Sequence, residues 1–167
     1  MQVEIDIEDW PGDSAGWEAL AARAAQVAGE VAPELANQRL AVSMLFTGDE
    51  EIHELNREWR GRDKPTNVLS FPMLERADLV GCAPDGPPVL LGDIALALGV
   101  CRREAEAKGV TLEHHAAHLI IHGLLHLSGH DHVDSDEQAE VMEALEIAAL
   151  AIMDIADPYG DRDTTGV

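Results

Sequence analysis

His122 and His126 stand four residues apart in the stretch HGLLHLSGHDH, and this spacing restricts the fold more than any other feature of the chain. On an α-helix, residues four apart lie about 40° apart around the axis and about 6 Å along it, so both imidazoles face one point. His132 comes six residues later and would face away if the helix continued. The chain must therefore stop and turn back, and Gly129 is placed for that as the left-handed residue just past a helix end. The pattern HxxxHxxGxxH thus predicts a helix, a glycine turn and a returning histidine. Three imidazoles with an open fourth position describe a catalytic metal that holds a water, whereas a structural zinc commonly takes four protein ligands, often cysteines. The two cysteines, Cys82 and Cys101, form no CxxC pair. Three histidines plus water suit Zn²⁺ better than Mg²⁺, so one zinc per chain is expected.

The helix around the pair is apolar on all sides, with Leu119, Ile120, Ile121, Leu124, Leu125 and Leu127, and is expected to be the buried central one. His118 continues the stripe but lies about 12 Å along the axis from His126, too far to share one ion, so it is expected behind the ligands. Asp131, inside the turn, is placed to orient a ligand imidazole through its other nitrogen or to cap the turn. Asp93, in LGDI, is a further candidate behind the ligands, or a carboxylate at a strand end. His53, His114 and His115 read as solvent-facing or packing residues.

Zinc proteases of the HExxH type carry a glutamate beside the first ligand as general base. Position 123 here is glycine. A mid-helix glycine costs about 1 kcal/mol relative to alanine, which implies close approach of another backbone or of substrate. Peptide hydrolysis, with its poor amine leaving group, suffers most from loss of that base. Phosphodiester cleavage suffers less, since a metal activates water and a cation stabilises the charge developing at phosphorus.

The rest of the chain supplies a frame of one domain's size. VEIDI at 3–7 alternates apolar and acidic residues as a half-exposed strand does. Asp13 and Ser14 open a helix with Trp17, Leu20, Ala21, Ala24 and Val27 at helical spacing, closed by Pro33. LAVSMLF at 40–46 reads as a buried strand, and TGD at 47–49 caps a helix with Ile52, Leu55 and Trp59 on one face and Gly61 past its end. TNVLSFP at 66–72 and LLGDIALAL at 90–98 are strands, and residues 75–88 between them read as one long flexible surface loop. CRREAEAKG is a short polar helix. Thr111 caps the histidine helix, and the last helix starts near Ser135 with Met142, Leu145, Ala149 and Ile152 as its core stripe. This order predicts a single α+β domain over 1–157: a small mixed four-stranded sheet, about five helices, and a metal site on the buried central helix. Residues 158–167 are expected to be a disordered tail.

Eleven basic against 32 acidic residues give a formal charge of -21, which repels polyanions at long range and argues against generic nucleic-acid affinity. A local cationic focus survives, because salt screens exposed charges beyond about 8 Å. MQVEIDIEDW has no positively charged start and no signal-like apolar core, and no run approaches a membrane span, so a cytoplasmic protein is expected.

Three blocks, LNREWRGRDKPTNVLSFP at 55–72, LGDIALA at 91–97 and HGLLHLSGHDH at 122–132, resemble the YbeY family of bacterial rRNA-processing endoribonucleases. Asn67 and His130 depart from that family's commonest pattern, which has Asp and Tyr there. The resemblance implies a single α+β domain, metal ligands at His122, His126 and His132, and a functional arginine at Arg60 whose fork of donors would clamp a phosphate. It also implies cleavage of single-stranded RNA, 3′ end maturation of 16S rRNA and ribosome quality control. The expected partners are then single-stranded RNA and the ribosome or its small subunit, with no membrane and no DNA. Two rival functions are a metal-dependent amide or peptide hydrolase with metzincin-like spacing, and a non-enzymatic ribosome-assembly factor with a structural metal.

Overall fold

The computed structural model describes residues 1–129 and 136–159. Four strands, β1 (Gln2–Ile7), β2 (Leu40–Thr47), β3 (Val68–Pro72) and β4 (Val89–Ala97), make one mixed sheet in the order β1-β2-β4-β3. β1 and β4 run parallel to β2, while β3 lies antiparallel to β4 at the edge. The pleat sends alternate residues to opposite faces. One face, with Ile94 and Leu96 of β4, belongs to the main core. The other carries Leu69, Ala95 and Ala97 against Ile52.

Six α-helices surround the sheet among the described residues: α1 (Ser14–Val31), α2 (Asp49–Arg60), α3 (Arg76–Val80), α4 (Leu98–Lys108), α5 (Leu112–Leu127) and α6 (Asp136–Ile152). About five were expected, and the addition is α3. It forms inside the stretch read as a flexible loop, with Leu79 buried in the core. That stretch is also tied down by Arg39, which donates to the carbonyls of Ala83 and Pro87, and by Asn37, which donates to that of Cys82. Its Gly and Pro content hid one anchoring leucine, which no periodicity in so short a segment reveals.

α5 is the central helix, in contact with α1, α4, α6, β3 and β4. Thr111 caps it by accepting from His114 N–H at 3.1 Å. Ile120, Ile121, Leu124 and Leu125 are fully buried, each contributing about 1.5–3 kcal/mol relative to exposure. The helix ends as its glycine implies. Gly129 has φ +95° and its N–H meets the His126 carbonyl at 2.9 Å. Arg76 of α3 donates to the Ser128 carbonyl at 2.7 Å, serving a helix end that would otherwise lack donors.

Two stripes differ from expectation. On α2 Ile52 and Asn56 are buried, but Trp59 is 70% exposed, because it borders an open groove on the sheet instead of packing into the core. On α6 the buried residues are Met142, Glu146, Ala149 and Leu150, whereas Ile152 is exposed. The inward face is thus rotated so that a glutamate, not a leucine, fills its centre. No helix of the described residues is long and apolar enough to cross a membrane.

Candidate metal centre on the central helix

α5 brings the imidazoles of His122 and His126 together, with their Nε2 atoms 3.0 Å apart. Two nitrogens bound to one tetrahedral zinc at about 2.0–2.1 Å stand roughly 3.3–3.4 Å apart, so the pair is nearly at ligand spacing. His132 and Asp131 fall within 130–135, outside the described residues. Among the described residues no group of three His, Cys, Asp or Glu side chains is disposed to hold a metal. The donor set nonetheless fits: two imidazoles converge on one point at the end of a rigid helix, and the side chain of His122 is 23% exposed.

The backing of His122 comes from α6. The Glu146 carboxylate, with no solvent exposure, bonds His122 Nδ1 through Oε1 and accepts from the Tyr159 hydroxyl through Oε2 at 2.5 Å. Burial alone would raise the pKa of this carboxyl. His118 and His122 beside it and the Tyr159 hydroxyl outweigh that and hold it well below the usual carboxylate range. An ionised carboxylate only accepts hydrogen bonds, so His122 carries its proton on Nδ1 and turns a bare Nε2 toward His126. His118 is buried, with Nε2 3.3 Å from the Tyr159 hydroxyl and 3.7 Å from Oε2, while its Nδ1 has no hydrogen-bond partner. Tyr159 stands at the start of the expected tail, and residues 160–167 lie outside the described residues.

Glu146 escaped the sequence reading because it belongs to no motif. Its signal was positional: an acid four residues after Met142 and three before Ala149, on the stripe that must face the core. His115 is also buried, paired with Glu104 at 2.8 Å, and Glu104 in turn accepts from Asn67 at 3.0 Å. That donation is the work of an amide, so the asparagine in TNVLSFP has a specific use here. Burial, against the opposing Glu104 bond, lowers the His115 pKa. His114 is exposed, and His53 meets Asp63 at 2.7 Å on the surface.

The mid-helix glycine is also accounted for. A Cβ on Gly123 would stand 3.0 Å from Ser70 Oγ and 3.1 Å from Ile94 Cδ1. The sheet therefore presses on α5 at the position where a zinc protease carries its glutamate. Ser70 has a second neighbour, since its carbonyl accepts from Arg60, whose guanidinium lies 5.5 Å from the centre of the Phe71 ring. Arg60 thus meets the histidine helix through a residue of β3, at the exposed end of α2.

Asp93 is a correction. It pairs with Phe71 in register, on the sheet face opposite Ser70 and Ile94, and lines a groove of about 710 Å³ with Leu45, Leu55, Trp59 and Met73. A strand residue adjacent to the correct one points the wrong way, and LGDI alone does not say which of its positions faces the helix.

A model of the family described as Endoribonuclease YbeY matches residues 4–154. The chain belongs to the YbeY family. Among curated relatives carrying that same description, one from Erythrobacter litoralis is 65% identical over 97% of this chain and 99% of its own length. Another, from Novosphingobium aromaticivorans, is 55% identical over 96% and 97%. The fold also matches a Thermotoga maritima protein solved in solution, with a TM-score of 0.55 at 22% identity over 98% of this chain and 93% of that one. The YbeY frame thus accounts for the sheet, the central helix and nearly the whole chain.

Proposed function

We propose that this protein is a zinc-dependent endoribonuclease that cuts single-stranded RNA during 3′ end maturation of 16S rRNA and in ribosome quality control. The observation that carries the reading is the converging Nε2 pair of His122 and His126, backed by a buried carboxylate, in a chain whose relatives are named endoribonucleases. His122, His126 and His132 would hold the metal. When bound, zinc supplies a Lewis acid and lowers the pKa of a water.

The chain's own residues do the rest. Glu146 holds His122 in the tautomer that leaves Nε2 unprotonated. Arg60, anchored on the Ser70 carbonyl and stacked near Phe71, turns its remaining donors to a phosphate and stabilises charge that develops there. Arg57, Arg62 and Lys64, exposed beside it, form a small cationic focus on an otherwise repelling surface. A flexible single strand brings one phosphate to that focus without the rest of a duplex approaching acidic side chains.

The close approach of Ser70 and Ile94 to position 123 disfavours the amide hydrolase, because a glutamate base there would crowd both side chains. The test compares cleavage of single-stranded RNA, duplex RNA and casein, with and without chelator, alongside zinc content. The expected result is chelator-sensitive cutting of single-stranded RNA alone, about one zinc per chain, loss of zinc in His126→Ala and its retention in His53→Ala. Cutting that persists without metal, or casein as the better substrate, overturns the proposal.

A further inference from the structure

The groups around Glu146 constrain where one another's protons lie. A carboxylate donates nothing, so both of its neighbours at hydrogen-bond distance must donate to it: His122 through Nδ1 and Tyr159 through its hydroxyl. With its proton so committed, the Tyr159 oxygen acts toward His118 as an acceptor, and Nε2 of His118 stands 3.3 Å away as a donor. His118 then carries its proton on Nε2, and its partnerless Nδ1 is a bare lone pair, which is less costly buried than an unpaired N–H. Donation therefore converges on Glu146 of α6 from two sides of α5: from His118 by way of Tyr159, and directly from His122.

Tyr159 is positioned for this by its own turn. Its backbone N–H donates to Asp157 Oδ1 at 2.7 Å, and Met153 and Ile155 pack the segment after α6 against the core. We infer that Tyr159 and Glu146 are positioning residues for the metal, which set the tautomer and ring orientation of His122 and so make the segment after α6 part of the metal site. The inference rests on the metal-site reading above. The hydroxyl of Tyr159 occupies Oε2 and keeps Oε1 directed at His122. Without it the carboxylate is free to rotate toward His118, and His122 loses the fixed acceptor that holds its proton on Nδ1.

Two measurements on the full chain test this. The first is the His122 tautomer in metal-free protein, from correlation of side-chain nitrogens with ring protons. The second is zinc affinity by competition with a chromophoric chelator. Wild type is expected to hold His122 protonated on Nδ1. Glu146→Gln offers an amide that donates as readily as it accepts, so it should give a tautomer mixture and weaken zinc about 10–100-fold, as loss of an outer partner does. Tyr159→Phe keeps the ring and removes one oxygen, so it should fold even if Glu146→Gln does not. It should shift the tautomer partway and weaken zinc about threefold to tenfold, below the loss for the direct partner. A merely structural tyrosine would move the melting temperature without moving the tautomer. Unchanged tautomer and affinity in Tyr159→Phe overturn the inference and leave the metal site standing. A wild type that takes up no zinc overturns the metal site, and the metal-free tautomer still decides the role of Tyr159.

Discussion

Gly123→Ala sets helix propensity against packing. Replacing a mid-helix glycine by alanine is worth about 1 kcal/mol to an unobstructed helix. Here the new Cβ would stand 3.0 Å from Ser70 Oγ, 3.1 Å from Ile94 Cδ1 and 3.4 Å from Ile94 Cγ1. Ser70 is a small side chain on an edge strand and gives way by rotating. Ile94 is 1% exposed in the core and does not. Overpacking of this kind costs about 1–3 kcal/mol, so the net effect is a destabilisation of roughly 0–2 kcal/mol where propensity alone predicts a gain. Ile94→Val removes the atom at 3.1 Å and by itself costs about 0.5–1.5 kcal/mol. In the double variant the alanine methyl fills the vacated space, so the two changes together should cost less than their sum by about 1 kcal/mol. The assay is urea unfolding of the four proteins of the cycle. Gly123→Glu adds further atoms and a charge at the same point and should lower stability by more than about 3 kcal/mol, roughly 6–12 °C in melting temperature for a chain of this size. If Gly123→Ala stabilises the protein, or if the cycle is additive within about 0.3–0.5 kcal/mol, the sheet does not press on α5 as argued. The exclusion of the protease base would then fall with it.

Arg60→Glu should abolish RNA cleavage while zinc content stays unchanged and stability falls by about 1 kcal/mol, since the arginine is exposed and loses one part-buried hydrogen bond. Cleavage of single-stranded RNA by that variant at the wild-type rate would remove Arg60 from the mechanism. Because the His115 pKa is lowered on folding, the unfolded chain takes up its proton first as pH falls. The stability His115 confers as a neutral ring is therefore complete above the unfolded value near 6.5 and declines below it, down to the folded pKa. Unfolding free energy should fall as pH drops below about 6.5, and His115→Gln should flatten that slope; equal slopes in both proteins would refute the assignment.

The order of strands and helices apart from α3, the caps at Thr111 and Gly61, the glycine turn at Gly129 and the converging pair His122 and His126 were legible in the sequence, because each depends on residues within one or two turns of one another. Helical period, cap chemistry and the conformational freedom of glycine are local properties and survive in a one-dimensional reading. The blocks around HGLLHLSGHDH and WRGRDKPTNVLSFP carried the family for the same reason. What surrounds the pair was settled by long-range packing. Glu146 lies 24 positions from its histidine and Tyr159 41 positions from His118, and neither distance leaves a periodic trace. Asp93 looked equivalent to its neighbour Ile94 until the register of β3 on β4 assigned them opposite faces. Gly123 announced a close approach but not by what, since the atoms that press on it belong to two strands of a sheet that exists only once the chain is folded.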